Sequence, residues 1–205
     1  MRLIVSFFLV TLMLLPSTSH AQSPQAPASN EEVFASGIEF GQFLENAERR
    51  KEMWHDNFGK GAVPEPILER LSAISGSWYL LAVAVDGCSD SVNTIPYLAH
   101  LVAESDHLHM RVVHPDDGRH IMEANPTPDG RPSTPTVLVL DENFEEVGVF
   151  IERPKELQDW ALGEGKDLSS SEFMTAKFAW YDDDLGVQTM EAVLDIIEGV
   201  MQAAK

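Results

Sequence analysis

The chain has 205 residues, 33 acidic against 14 basic, for a net charge of −19. A field of that sign repels nucleic acid and anionic membrane surfaces, which excludes binding either through counterion release. The single cysteine, Cys88, excludes any disulfide within the chain, so the core must hold by packing. Met1-Arg2, the apolar run Leu3 to Leu15 and the small-residue tail ending Ser19-His20-Ala21 predict a secretory signal peptide, residues 1–21. At ~1.5 Å per residue that run is too short to span a bilayer. The absence of a cysteine at the cut argues against a lipid anchor there. The mature chain is therefore expected to be exported, periplasmic or secreted, with no membrane attachment. Losing Arg2 leaves 13 basic residues against 33 acidic ones, a net charge of −20.

Residues 22–32 read as a linker, "QSPQAPAS" running into a helix start at Asn30-Glu31-Glu32. Val33, Phe34, Ile38, Phe40, Phe43, Leu44, Ala47 and Trp54 recur at helical spacing and predict a first helix that Gly37 and Gly41 weaken without breaking. "GKGAVPEP" interrupts it, and Pro66 to Ile74 starts a second helix with proline in its first turn. Trp78 to Val85 is a continuous apolar run, the pattern of a strand buried on both faces. A helix follows Ser91 on Val92, Ile95, Leu98, Leu101 and Val102, then a strand at Leu108–Val113 and a short helix in "GRHIMEAN". Val137–Leu140, the turn "DENF" and Val147–Ile151 predict a β-hairpin, and Pro154 to Trp160 begins another helix. Residues 161–179 read as a polar connection, and Val187, Met190, Val193, Leu194, Ile197 and Val200 mark a last amphipathic helix. Strands joined through helices imply parallel pairing, with the last two as an antiparallel edge. The expectation is one α/β domain over residues 33–205: a helical extension (33–75), a core with a mixed central sheet (76–160) and a C-terminal helical addition (161–205). No motif specifies an oligomeric state.

Cys88 stands between strand and helix in Asp86-Gly-Cys-Ser-Asp90. A thiol at a helix start meets unpaired backbone N–H groups, which favour the thiolate. Asp86 and Asp90 flank it, and like charge opposes ionisation. Both outcomes, a reactive thiol and a merely structural one, stay open on these grounds. His107 and His109 alternate on a predicted strand, with His114 and His120 nearby, but they lack zinc spacing and read as solvated. Asp182-Asp183-Asp184 reads as capping for the last helix, without the spaced ligands of a calcium loop. No metal and no cofactor are expected, since there is no phosphate-cradling glycine loop and no Ser-His-Asp pattern.

This order of elements, with a cysteine opening the first core helix, resembles the thioredoxin superfamily. Pro96 matches that family's kink proline, and Thr134-Pro135 before the third strand matches its cis-proline opposite the cysteine. A bacterial branch with a helical N-terminal extension is more similar still. Its Asp-Trp-Cys-Gly-Asp signature, Gly-Arg-Ser-Ile-Pro loop and Arg-Pro pair correspond to Asp86-Gly-Cys-Ser-Asp90, Gly130-Arg-Pro-Ser-Thr-Pro135 and Arg153-Pro154. "AWYDDDLG" before the last helix resembles the branch's C-terminal segment, so the likeness covers roughly residues 33–201. It implies a thioredoxin-like fold, a cis Thr134–Pro135 bond that docks the substrate backbone, and a catalytic set of Cys88, Ser91 and Asp90. Asp86, Arg131, Arg153 and Pro96 are implied as supports, the two arginines either tying down loop carboxylates or contacting a ligand.

Two departures bear on activity. Gly87 replaces the tryptophan, which removes a flat wall beside the thiol. Ser91 takes the place of the second cysteine, and a hydroxyl can donate to a thiolate but cannot resolve a mixed disulfide. The expected function is monothiol exchange with a protein or small-molecule disulfide or thiol. The alternative is non-redox binding of a peptide or partner protein in the same groove.

Overall fold

The computed structural model describes residues 28–203. The predicted signal peptide, linker residues 22–27 and the last two residues lie outside them. Four strands form one sheet in the order β2-β1-β3-β4: β1 Trp78–Val83, β2 Leu108–Val113, β3 Thr136–Leu140 and β4 Glu146–Ile151. The α-helices are α1 Asn30–Ser36, α2 Phe40–Asn46, α3 Lys51–Lys60, α4 Glu65–Ser72, α5 Ile95–Ala103, α6 Arg119–Ala124, α7 Lys155–Leu162, α8 Ser170–Asp184 and α9 Val187–Ala203. Among the described residues no helix is long and apolar enough to cross a membrane.

β1 is central and buried on both faces, as its unbroken apolar run predicts. Leu80 and Ala82 join Val137 and Val139 against α5 and α9, whereas Leu81 and Val83 join Leu138 and Leu140 against α1 and α6. Successive strand residues point to opposite faces, so one strand feeds both clusters. Burying each of these leucine and valine side chains stabilises the fold by about 1.5–3 kcal/mol.

The sheet departs from the expected pairing at β3. β1 and β2 are parallel, but β3 is antiparallel to β1 and β4 antiparallel to β3. The chain leaving β2 turns through α6 and re-enters at the same end, with Thr136 opposite Val83. That reversal sets Thr134-Pro135 at the end of β1, where the strand runs out toward Cys88.

The first helix is not one helix. It breaks at Gly37 and again over residues 47–50, giving α1, α2 and α3. Between α1 and α2 the chain pairs with the edge of β2, Ile38 exchanging amide bonds with Val112 at 3.0 and 2.9 Å. A Cβ at Gly37 would stand 2.8 Å from the Arg111 Cβ, so only glycine permits this approach. Gly41 lies inside α2 with nothing near it and breaks nothing. Residues 161–179, expected as a connection, contain most of the fifteen-residue helix α8, which starts with a Ser169–Glu172 capping box.

Candidate functional site

Past β1 the chain turns at residues 85–88, where the Cys88 amide donates to the Val85 carbonyl at 3.1 Å. It then enters a 3₁₀ turn, Ser91–Asn93, before α5 begins at Ile95. Cys88 therefore lies three residues ahead of that turn, and does not open α5 itself. Pro96 occupies the first turn of α5, where its missing N–H is no loss, and so is not a kink inside a helix running from Cys88.

Cys88 is partly exposed. Its S–H donates to the Thr134 carbonyl at 3.1 Å, and the Ser91 N–H donates to Sγ at 3.5 Å. The Thr134–Pro135 bond is cis. Strand reversal at β3 and the turn after β1 thus bring Cys88, Ser91 and the Thr134-Pro135 pair together. Ser91 is fully buried, and its hydroxyl has no partner among the described residues.

The two flanking aspartates are engaged elsewhere. Asp90 is buried and accepts from Arg153 Nε at 3.0 Å, Lys177 Nζ at 2.9 Å and the Tyr181 hydroxyl at 2.9 Å. Lys177, itself buried, also donates to Ser89 Oγ at 2.7 Å, binding the residue after Cys88 to α8. Burial, reinforced by the charge and hydrogen bond of Asp90, pushes the Tyr181 phenol well above its ordinary range, so it remains a donor. Asp86 accepts from the Glu48 and Arg49 amides at 2.9 and 2.8 Å, while its own carbonyl accepts from Trp54 Nε1 at 2.9 Å. Burial opposes the Asp86 carboxylate, but those amides outweigh it and hold its pKa below the usual value.

Both candidate arginines tie down carboxylates. Arg131 bonds Asp129 at 2.7 Å and reaches Glu152 at 3.4 Å. The Arg131 hydrogen bond pulls the Asp129 pKa down to about 2. Arg153 bridges Asp90 and Glu152. Burial works against the Arg153 cation, and the two acids more than restore it. Glu152 is buried at a left-handed φ of 60°. Burial raises its pKa against the pull of Arg153.

Sequence reasoning missed Glu152 and Lys177. Glu152 precedes the flagged Arg153-Pro154 pair without a signal of its own. Lys177 sits four residues before Tyr181, on the same helix face. The available sign was the Ser-x-x-Glu box at Ser169, which announces α8 and so the register that aligns them. The histidines remain apart from the site. His107 contacts the Gly76 carbonyl at 2.6 Å, His109 stacks on Tyr79, and His114 pairs with Asp116. Among the described residues no three His, Cys, Asp or Glu side chains are grouped to hold a metal. The three aspartates expected to cap the last helix are instead the final residues of α8, and of them only Asp184 accepts from an α9 amide, that of Gln188.

A family model described as thioredoxin matches residues 37–172. Two solved structures are similar over 84% of this chain and 99% of theirs. A protein of unknown function from Pseudomonas aeruginosa is 24% identical with a TM-score of 0.67, and an HIV epitope-scaffold is 23% identical with a TM-score of 0.65. Both likenesses show the fold alone. No curated protein matches the chain.

Proposed function

The chain belongs to the thioredoxin family, and from that premise we propose that it is an exported monothiol thiol–disulfide exchange protein acting through Cys88. The observation that carries this reading is a partly exposed thiol held 3.1 Å from the carbonyl before a cis-proline, with serine where a resolving thiol would stand. Once Cys88 gives up its proton, the sulfur attacks one sulfur of a substrate disulfide. The substrate S–S bond breaks, a Cys88–substrate disulfide forms, and the other sulfur leaves as a thiolate that takes up a proton. An external thiol then attacks the adduct and regenerates Cys88. Ser91 supplies the amide that bonds Sγ, and Thr134-Pro135 supplies backbone for the incoming chain. Asp90 in this reading positions the loop and does not react, because its oxygens are committed to Lys177, Arg153 and Tyr181.

The test compares turnover of a disulfide substrate with and without an added small thiol. Wild type should turn over slowly alone and several-fold faster with the thiol. Ser91→Cys should reduce that dependence, since residues three apart at a helical turn bring two sulfurs within bonding range. Cys88→Ala should abolish both. An inert Cys88 would leave the peptide-binding alternative in its place. Export is checked by N-terminal sequencing of the secreted form, which should begin at Gln22.

A further inference from the structure

Arg49, Arg50 and Lys51 are three of the chain's 14 basic residues and stand consecutively in a protein of net charge −19. The run falls at the turn between α2 and α3, which is fastened to the loop carrying Cys88 at several points. The Asp86 carboxylate accepts the Glu48 and Arg49 amides, Trp54 Nε1 bonds the Asp86 carbonyl, and Arg50 Nε bonds the Gly87 carbonyl at 2.9 Å. Arg50 adopts a left-handed φ of 54° in this turn and lies 5.9 Å from the Phe178 ring centre. The Arg49 guanidinium consequently fills the place where a side chain at position 87 would stand. A Cβ there would meet its Cζ at 2.5 Å, its Nη1 at 2.6 Å and its Nε at 2.8 Å. Both arginines are exposed, and neither forms an ion pair among the described residues. Asp86 feels the Arg49 charge but spends its oxygen on two backbone amides.

We propose that Arg49, seated on Gly87 beside Cys88 and backed by Arg50, selects disulfides and thiols that carry carboxylates. The inference rests on the thiol-exchange reading and names the substrate class for that site. A side chain at position 87 would have to displace this exposed guanidinium, so glycine there lets the cation rest against the loop that carries Cys88. A planar guanidinium presents several N–H donors in a geometry that fits a carboxylate. One further feature points to a ligand at this place: neither guanidinium is paired with a carboxylate among the described residues, Arg50 spending only its Nε on the Gly87 carbonyl. On binding, a substrate carboxylate pairs with Arg49 while its disulfide meets Cys88. The sulfur chemistry is then the balanced exchange given above, with the carboxylate unchanged.

The net charge makes the test sharp, because the field of the whole protein favours cationic substrates whereas Arg49, with Arg50 behind it, favours anionic ones. Single-turnover adduct formation on Cys88 is followed by mass spectrometry with dithiodiglycolate (dianionic), bis(2-hydroxyethyl) disulfide (neutral) and cystamine (dicationic). Each rate is divided by that of free mercaptoethanol with the same disulfide, which removes intrinsic reactivity. Wild type should rank anionic over neutral over cationic, by roughly fivefold per step at low salt, and the spread should shrink as salt rises. Arg49→Ala should collapse the ranking, and Gly87→Trp should do so without changing any charge, by displacing the guanidinium. Arg119→Ala, which removes one positive charge elsewhere, should keep it. Equal normalised rates in wild type, or cystamine fastest, overturn the proposal while leaving thiol exchange standing. No adduct with any of the three overturns the thiol-exchange reading, and this proposal with it.

Discussion

Two different interiors meet at the end of β1. Around the strand the core is apolar, with Leu80, Leu81, Ala82 and Val83 all at 0% exposure. Beneath Cys88 the interior is charged, with Asp90, Glu152, Lys177 and Tyr181 buried together and Arg153 spanning two of them. Apolar burial is non-directional and stabilises roughly in proportion to area. A buried ion pair adds little net stability over a well-packed apolar replacement, because desolvation offsets the attraction. The charged cluster therefore serves position more than stability. It fixes Ser89 and Asp90, the two residues that follow the thiol. The two interiors should respond to mutation in different ways.

The largest effect is expected at the centre of the charged interior. Asp90→Ala leaves Lys177 and Arg153 buried without their shared acid and should destabilise by about 3–5 kcal/mol. Leu81→Ala in the apolar interior should lose about 2–5 kcal/mol, yet leave the alkylation rate of Cys88 close to wild type. Denaturant midpoints and iodoacetamide kinetics on both variants separate the two interiors. Equal effects on the thiol would erase the distinction between them.

Lys177→Met sharpens the comparison. It keeps most of the volume, and Asp90 retains Arg153 and Tyr181, so stability should fall by a smaller amount, about 1–3 kcal/mol. Its main effect should be on Cys88 alkylation, because Ser89 loses its tie to α8. A variant with normal alkylation but large destabilisation would show that this lysine serves stability alone.

The smallest effect concerns Asp184, outside both interiors. Burial, with the nearby charges of Glu191 and Glu156, raises its pKa from the usual 3.8 to about 6. The folded state then holds the proton more tightly than the unfolded chain. That contribution is fully present below pH 3.8 and is lost as pH rises through about 6. Asp184→Asn keeps a capping side chain for the Gln188 amide and removes this titration. The melting temperature of wild type minus variant should fall between pH 4 and 6 by a few degrees. A flat difference would contradict the assignment.

Legibility in the sequence followed how local each cause was. The double-faced burial of β1 could be read directly, since a short, unbroken apolar run with β-branched and aromatic residues fits a buried strand. The direction of β3 could not, because it depends on where residues 114–135 return the chain. The break at Gly37 needs the edge of β2, a contact more than seventy residues away. Helix α8 lacked an apolar stripe because the residues it buries are Lys177 and Tyr181, and a lone lysine in a polar segment reads as solvated. Cys88, Asp90, Thr134, Pro135 and Arg153 were legible through the family resemblance. Arg49 was not, since it reaches Gly87 only after the extension folds back over the core.

The most direct measurement is the intact mass of the wild-type protein after incubation with the neutral bis(2-hydroxyethyl) disulfide and removal of excess reagent. Monothiol exchange predicts one adduct per chain, on Cys88, that persists for hours because no second thiol in the chain can release it, and that disappears when a small thiol is added. An unmodified mass across pH 5 to 9, with the fold intact, would contradict exchange through Cys88.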